Sequence, residues 1–148
     1  MLADLVRVVD EQMNDVPLDA EGMDTKVARE QLELLRREGK PCKLIYTIVN
    51  FQNPAGTTLS RARRERLVEL ASHYGVPIVE DDPYGQLRYE GKHLPSLVKI
   101  DAELHGSAHG GRAFRGGVLY LGTLSKVLAP GLRVGWIVGP EEVIAKLV

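Results

Sequence analysis

The sequence predicts an α/β fold in which helices flank a mainly parallel sheet, and three observations support this class. Short β-branched runs alternate with stretches of helical periodicity along the 148 residues. Residues 43–49 are almost continuously apolar, which is typical of a strand buried on both faces. The predicted elements follow the order strand, helix, strand, helix, strand, which builds right-handed crossovers and a mainly parallel sheet.

The first predicted strand and helix lie near the N-terminus. Residues 5–9 are short and β-branched, which predicts a strand. From residue 24 to residue 38 the apolar positions recur at helical spacing. Asp24 is the expected N-cap of this helix, and Gly39 and Pro41 are expected to end it.

A second strand and a second helix follow. Residues 43–49 form the strand, and residues 60–74 form a helix that Gly75 is expected to end. The apolar positions of this helix lie on one face. We expect the basic run at residues 61–66 to lie on the exposed face.

The second half of the chain predicts three more strands. They are expected at residues 76–80, 118–121 and 134–138, and residues 141–148 are expected to form a helix. The stretch between residues 100 and 117 is rich in Gly and His and predicts a surface loop. Because the chain stops inside a predicted helix, we expect it to be a piece of a longer protein.

Composition and charge argue against several classes of function. The 19 Lys and Arg and the 20 Asp and Glu give a formal net charge of -1, which provides no field to attract nucleic acid. The apolar runs are far shorter than the roughly 20 residues of a membrane span, and residues 1–10 lack the pattern of a signal peptide. Cys42 is the single cysteine, so we expect no internal disulfide and a cytoplasmic protein. The four histidines lack metal-ligand spacing, so we expect them at the surface and expect no metal site.

Distinctive residues follow three of the predicted strands, where open parallel sheets bind their ligands. The first run contains Asn53, Pro54 and Gly56, which suit an ordinary β-turn but would also present the Asn53 amide to an anionic oxygen. The second run contains the acidic residues 80–82, followed closely by Tyr84. These carboxylates suit a solvated turn, a divalent metal site with too few ligands, or a partner for a cationic ring nitrogen beside the Tyr84 phenol.

The third run contains Lys126, for which a surface position is the simplest interpretation. Its neighbours favour a reactive amine instead. Thr123 and Ser125 can bind phosphate oxygens, and a helix that began near Ser125 would direct free backbone N–H groups at the same anion. Arg133 can add paired donors to that phosphate. A poorly solvated lysine beside a cation loses its proton more easily, as an amine that attacks an aldehyde must.

Together the strand ends offer an amine nucleophile, a phosphate-binding group, a carboxylate for a ring cation and two donors to a phenolate oxygen. This set fits pyridoxal 5'-phosphate, whose aldehyde, phosphate, pyridinium and phenolate need these four partners.

The three runs in this order resemble the fold-type I pyridoxal-phosphate-dependent aminotransferases of class I and II, in the 2-aminoadipate and kynurenine aminotransferase branch. The resemblance rests on Asn53-Pro54-Ala55-Gly56, Asp81-Asp82-Pro83-Tyr84, Ser125-Lys126 and Gly131-Leu132-Arg133. It implies that residues 1–148 are part of the large cofactor-binding domain, with an N-terminal segment and the C-terminal small domain missing. It also implies transamination between an amino acid and a 2-oxo acid by a homodimer, while the charge and the short apolar runs predict no nucleic-acid or membrane partner.

The resemblance also implies a role for each matched residue. Lys126 matches the catalytic lysine that forms the Schiff base and moves the α-proton of the substrate. Asp81 matches the carboxylate partner of the pyridine nitrogen, and Asn53 and Tyr84 match the donors to the phenolate oxygen. Asp82 is expected to be structural.

The phosphate group is assigned in the same way. Arg133 matches the phosphate-binding arginine, with Thr123 and Ser125 as its hydroxyl companions. Ala55 departs from the threonine that is frequent in the family, which is a mild change because the turn residues are kept. The stretch from residue 101 to residue 115 is longer than is usual in the family.

Besides other pyridoxal-phosphate chemistries on the same fold, such as β-elimination or decarboxylation, two further interpretations stay open. Effector domains of some transcriptional regulators resemble aminotransferases and keep the lysine, but commonly depart from the Asn-Pro-x-Gly and Asp-x-Pro-Tyr patterns. Both patterns are present here, which favours an enzyme. The other interpretation is an inactive remnant. We expect little transamination from the isolated chain, because the upstream phosphate loop, the ring-stacking aromatic residue and the arginine for the substrate carboxylate are absent from it.

Overall fold

The computed structural model describes residues 7–9, 14–105 and 116–147. The strands in these residues are β1 (Arg7–Val9), β2 (Asn14–Asp15), β3 (Leu18–Asp19), β4 (Gly22–Met23), β5 (Leu44–Ile48), β6 (Ile78–Asp81), β7 (Val118–Thr123) and β8 (Gly135–Val138). The helices are α1 (Thr25–Arg37), α2 (Arg61–Tyr74), α3 (Leu97–His105) and α4 (Glu141–Ile144), and 3-10 turns cover Gly85–Leu87 and Pro130–Leu132.

The α/β fold class is confirmed, and the sheet is mixed. Six strands form one sheet in the order β2-β1-β5-β6-β7-β8, while β3 pairs with β4 separately. The central strands β5, β6 and β7 are parallel, and β1 and β8 pair antiparallel with the outer members of this group. Helices α2 and α3 supply the crossovers that the parallel strands need. Strand β8 runs antiparallel because only turns connect it to β7.

Helices α1 and α2 are confirmed, and their ends follow from the capping residues. The Asp24 side chain accepts hydrogen bonds from the backbone N–H groups of Lys26 and Val27. The Ser60 side chain caps α2 in the same way, and Gly75 ends that helix with a left-handed φ of 66°. The predicted ends of these two helices therefore hold to within about one residue.

Other boundaries differ from the predictions. Residues 97–105 form helix α3, so the first part of the predicted surface loop was wrong, and residues 106–115 lie outside the described residues. Leu97, Ile100 and Leu104 recur at helical spacing, and this signal was overlooked beside the Gly-rich run. Helix α4 is shorter than predicted, and residues 5, 6 and 148 of the predicted elements also lie outside the described residues.

The hydrophobic core lies between the sheet and the helices. Its buried members come from α1, the central strands, α2 and α3, and they include Ala28, Leu32, Ile45, Val49, Leu67, Val68, Ile78, Leu97 and Val118. This packing anchors the three parallel strands, whose carboxyl ends carry the candidate site. None of the helices in the described segments has the length and apolar character needed to cross a lipid bilayer.

Candidate functional site

The register of the central strands brings the three candidate runs to one edge of the sheet. Ile48 on β5 pairs with Asp81 on β6, and Asp81 pairs with Leu121 on β7. Because these strands are parallel, their carboxyl ends lie side by side. The chain continues from these ends into the segments that contain Asn53, Tyr84 and Lys126, so the sheet topology gathers the predicted runs as expected for a ligand site.

Asn53 and Tyr84 line one cavity of about 540 Å³. The Asn53 side chain is exposed on the turn, and the backbone around it is shaped by the neighbouring residue Gln52, which is 2% exposed. The Gln52 amide donates to the Asn53 carbonyl at 2.9 Å, and its oxygen accepts from the Ala55 N–H at 2.9 Å. Gln52 was not predicted from the sequence. The other lining residues are Phe51, Gln52, Pro54, Gly56, Leu87 and Tyr89.

Asp81 has a phenol as its partner. The Tyr46 hydroxyl on β5 donates a hydrogen bond of 2.6 Å to Asp81 Oδ2. Burial, and then the hydrogen bond to Asp81, raise the pKa of the Tyr46 phenol far above its ordinary value, with a smaller contribution from Tyr84. The phenol therefore stays protonated and remains a donor. Nothing in the local sequence pattern identified Tyr46, because it lies on a different strand from Asp81.

Asp82 has a structural role, as expected. Its Oδ1 accepts from Asn50 Nδ2 at 2.9 Å and from the Gly85 N–H at 3.0 Å, which fixes the turn after β6. A Cβ atom on residue 85 would clash with the Asp82 carboxylate and the Asn50 amide, which are hydrogen-bonded to each other, so glycine favours this turn. The Tyr120 hydroxyl lies 3.4 Å from Asp82 Oδ2, and burial followed by Asp82 raises the pKa of Tyr120 to about 12.

Glu80 differs from both aspartates, because it is fully buried. Its two carboxyl oxygens accept hydrogen bonds from the N–H groups of Leu97 at 2.8 Å and Val98 at 3.0 Å, at the start of α3. Burial raises the pKa of Glu80 to about 7, against the opposing effect of these two hydrogen bonds. The acidic triplet is therefore not a solvated turn. In the described part of the chain, no group of three or more His, Cys, Asp or Glu side chains could hold a metal ion.

Arg64 corrects the prediction that residues 61–66 form an exposed basic face. Its side chain is fully buried and donates to the carbonyls of Leu59 at 2.8 Å, Pro95 at 3.0 Å and Val49 at 3.0 Å. It also donates to Asn50 Oδ1 at 2.7 Å, and burial lowers the pKa of the guanidinium. Helical spacing from Leu67 and from residues 68 and 71 already placed position 64 on the apolar face. The prediction of an exposed Arg64 was wrong because it relied on the general rule that charged residues lie at the surface.

Thr123 and Ser125 lie close together after β7. Thr123 Oγ1 lies 3.0 Å from Ser125 Oγ and accepts a hydrogen bond of 3.1 Å from the Ser125 N–H. No helix begins at Ser125, as had been considered from the sequence, because residues 125–128 form only a turn. Pro130 explains this difference, since the residue before a proline is forced out of the helical region, and Ala129 is extended with a φ of -158°.

Lys126 and Arg133 are both exposed. Arg133 ends the 3-10 turn Pro130–Leu132 with a φ of 51°, a left-handed conformation that costs free energy for a residue with a side chain. Neither residue lines the cavity that contains Asn53 and Tyr84. The structure thus places Asn53 and Tyr84 at one cavity and brings the hydroxyls of Thr123 and Ser125 together. Lys126 and Arg133 are exposed to solvent and lie outside that cavity.

A second polar cluster lies away from this edge. The His105 ring lies 2.7 Å from Asp101 Oδ1 through Nδ1 and 3.0 Å from Ser72 Oγ through Nε2, so His105 is not a simple surface residue. Asp101 is 2% exposed and also accepts from the Val118 N–H at 3.0 Å. Ser72 lies near the C-terminal end of α2, where carbonyl groups would repel an oxyanion. The cluster therefore joins α3 to α2 and β7 rather than forming a hydrolytic site.

Comparison with known proteins connects these observations to one family. Residues 3–148 match the family described as aminotransferase class I and II. The chain is 48% identical over 132 residues to aromatic-amino-acid aminotransferase 1 of Thermococcus litoralis, covering 89% of this chain and 29% of that protein. The crystal structure of Pyrococcus horikoshii kynurenine aminotransferase, in complex with PMP, superposes with a TM-score of 0.78 at 46% identity. That match covers 88% of this chain and 30% of the crystallised chain.

A relative of a different kind also matches. The chain is 37% identical over 136 residues to an uncharacterized HTH-type transcriptional regulator of Bacillus subtilis, covering 92% of this chain and 25% of the regulator. The chain thus spans less than a third of each of these relatives. The matched region alone is shared between proteins named as enzymes and a protein named as a regulator.

Proposed function

The chain belongs to the class I and II aminotransferases, and we propose that it is part of the large domain of a cytoplasmic, homodimeric enzyme that transfers amino groups between an amino acid and a 2-oxo acid. The observation that carries this proposal is the common edge of β5, β6 and β7, beyond which Asn53, Tyr84 and Lys126 follow. The small domain and an N-terminal segment would lie outside residues 1–148. We expect no nucleic-acid or membrane partner.

The exposed apolar surface of β8 supports the view that the chain is part of a larger protein. Trp136, Ile137 and Val138 on this strand are 42%, 45% and 47% exposed. Alternate residues of a strand point to opposite faces, so β8 exposes apolar side chains on both faces, which is uncommon on the finished surface of a soluble protein. Residues beyond this chain would cover β8 in the complete enzyme.

The residues present fit pyridoxal 5'-phosphate as the cofactor. Asp81 offers a carboxylate that a neutral phenol holds, so its negative charge is available to a ring cation. Asn53 and Tyr84 border the same cavity and would donate to the phenolate oxygen. The paired hydroxyls of Thr123 and Ser125 would bind the phosphate with Arg133, which can offer two parallel N–H groups.

When bound, pyridoxal 5'-phosphate supplies an aldehyde for a covalent bond to an amine and a ring that accepts negative charge from the substrate α-carbon. Lys126 Nζ would form that bond, the substrate amino group would displace it, and the freed amine would then move the proton at the substrate α-carbon. Asp81 would keep the ring nitrogen protonated. Lys126 would thus transfer the proton, and Asp81 would stabilise the charge of the ring.

The test is the visible absorbance of bound cofactor in the full-length protein. Lys126→Ala is expected to abolish the band of the lysine-linked cofactor, because no other amine would take its place. Lys92→Ala, which also removes an exposed lysine, serves as the matched control and should keep the band. An unchanged band in Lys126→Ala would refute the proposed role of this residue.

A regulatory domain is the second candidate, and the 37% identity to a transcriptional regulator favours it. The two functions are separated by assaying the purified full-length protein for both activities. Amino-group transfer at a turnover above that of Lys126→Ala supports the enzyme. Cofactor binding without turnover, together with binding of the purified protein to DNA, supports a regulatory function. Light scattering on the same sample tests the homodimer.

A further inference from the structure

The hydrogen bond between Tyr46 and Asp81 suggests a function that the predicted residues do not cover. Tyr46 pairs with Val79 across the parallel ladder, and Ile48 pairs with Asp81. Side chains two residues apart on a strand point to the same face, so Tyr46 and Ile48 share a face of β5. The Tyr46 ring reaches from there to Asp81, where its hydroxyl lies 2.6 Å from Oδ2.

We propose that Tyr46 is a positioning residue that holds the Asp81 carboxylate as the partner of a cationic ring nitrogen. This inference rests on the proposed function. Tyr46 occupies Oδ2, and within the described part of the chain Oδ1 accepts no hydrogen bond, so Oδ1 is the oxygen left for the ring. The phenol thereby fixes the side-chain rotamer of Asp81 before the cofactor arrives.

The chemical nature of the partner matters as much as its position. An arginine or lysine next to Asp81 would orient the carboxylate but would also cancel much of its charge. A neutral phenol orients it through one strong hydrogen bond and leaves the negative charge for the ring cation. Burial and the Asp81 charge keep the phenol protonated, so this arrangement persists across the working range of pH.

Tyr120 provides a matched comparison on the neighbouring strand. Its hydroxyl lies 3.4 Å from Asp82 Oδ2, and its side chain is about as exposed as that of Tyr46. Asp82 is held independently by Asn50 and by the Gly85 N–H, so it needs the Tyr120 hydroxyl less. Removing each hydroxyl in turn therefore separates an effect on Asp81 from a general effect of deleting a phenol.

The experiment measures the dissociation constant of pyridoxal 5'-phosphate for the full-length protein and its Tyr46→Phe, Tyr120→Phe, Asp81→Asn and Tyr46→Phe/Asp81→Asn variants. Tyr46→Phe is expected to weaken binding about tenfold, the loss of one hydrogen bond to a charged group. Tyr120→Phe is expected to stay within about twofold of the wild type. In the Asp81→Asn background, Tyr46→Phe should change the dissociation constant very little further, because the carboxylate that the Tyr46 hydroxyl positions is absent.

Each outcome decides the inference. Equal binding by wild type and Tyr46→Phe overturns it, as does an equal loss in Tyr46→Phe and Tyr120→Phe. The same loss with and without the Asp81 carboxylate also overturns it, since that result indicates a packing effect. Urea unfolding of the cofactor-free variants identifies any loss that comes from a misfolded protein. If the wild type does not bind the cofactor, the proposed function fails, and this inference fails with it.

Discussion

The two sides of the candidate site differ in how completely the chain itself builds them. On the β5–β6 side, Tyr46 holds Asp81, and Asn50 joins the buried Arg64 to Asp82. On the β7–β8 side, Lys126 and Arg133 are exposed, and every residue of β8 is exposed as well. The first side is organised by hydrogen bonds within the described residues, while the second is open.

This difference predicts different consequences of mutation. On the β5–β6 side Asn50 and Arg64 are buried and hydrogen-bonded, so removing either side chain takes hydrogen bonds away from buried partners and lowers stability. On the β7–β8 side Lys126 and Arg133 are exposed, so removing either side chain should cost little stability and affect only what binds there. Stability and cofactor affinity should therefore respond differently to substitutions on the two sides.

The largest expected effect is on stability, in Arg64→Met. This substitution removes a buried cation and its hydrogen bonds to the carbonyls of Leu59, Val49 and Pro95. We expect the free energy of unfolding of the full-length protein to fall by about 3–5 kcal/mol, as for other broken buried charge networks. Urea denaturation measures it. Arg66→Met, at an exposed position two residues away, should change it by less than about 0.5 kcal/mol. Similar losses in both variants would contradict the structural role of Arg64.

A smaller, pH-dependent effect is expected for Glu80→Gln. Burial raises the pKa of Glu80 to about 7 in the folded protein from an ordinary value of 4.5. Between these values the folded state binds a proton that the unfolded state has released, so the contribution to stability is complete below pH 4.5 and is lost as the pH rises to about 7. Relative to Glu80→Gln, the wild type should lose about 1–3 kcal/mol over this interval.

The measurement for Glu80 is the unfolding free energy of both proteins at pH 5 and pH 7.5. Glu103→Gln, on the exposed side of α3, is the control and should follow the wild type at both pH values. Parallel pH dependence in the wild type and Glu80→Gln would show that Glu80 does not titrate in this range.

The sequence indicates candidate residues but not their hydrogen-bond partners. Asn53, Asp81 and Lys126 are candidates because they lie at or just beyond the ends of apolar strands, and strand ends meet at one edge of a parallel sheet. Tyr46 could not be identified in this way, since its role depends on a register between two strands that local patterns do not specify. The prediction that Arg64 is exposed was wrong, because it was based on residue type and not on the position of Arg64 on the apolar face of α2.

The fold shows the same limit. The central parallel strands and both long helices followed from periodicity and capping residues. The direction of β8 depended on the length and content of its connection to β7, and α3 depended on a helical signal of only nine residues. Such short or non-local features are decided by tertiary packing, because propensity over a few residues is weak.

Apart from the control variants, Arg133→Gly is expected to change stability least, and this variant tests the contrast most sharply. Residue 133 has a φ of 51°, which glycine adopts without strain, whereas glycine also increases the freedom of the unfolded chain. These effects oppose each other, so the unfolding free energy should change by less than about 1 kcal/mol. The affinity for pyridoxal 5'-phosphate should nevertheless fall by about tenfold or more, since the proposed paired donor to the phosphate is lost. Stability and affinity, measured on the same full-length preparation, should therefore separate at Arg133 while Arg64→Met loses mainly stability. If Arg133→Gly instead destabilises the protein as strongly as Arg64→Met, the β7–β8 side is held by contacts of Arg133 beyond the described residues, and the contrast between the two sides is wrong.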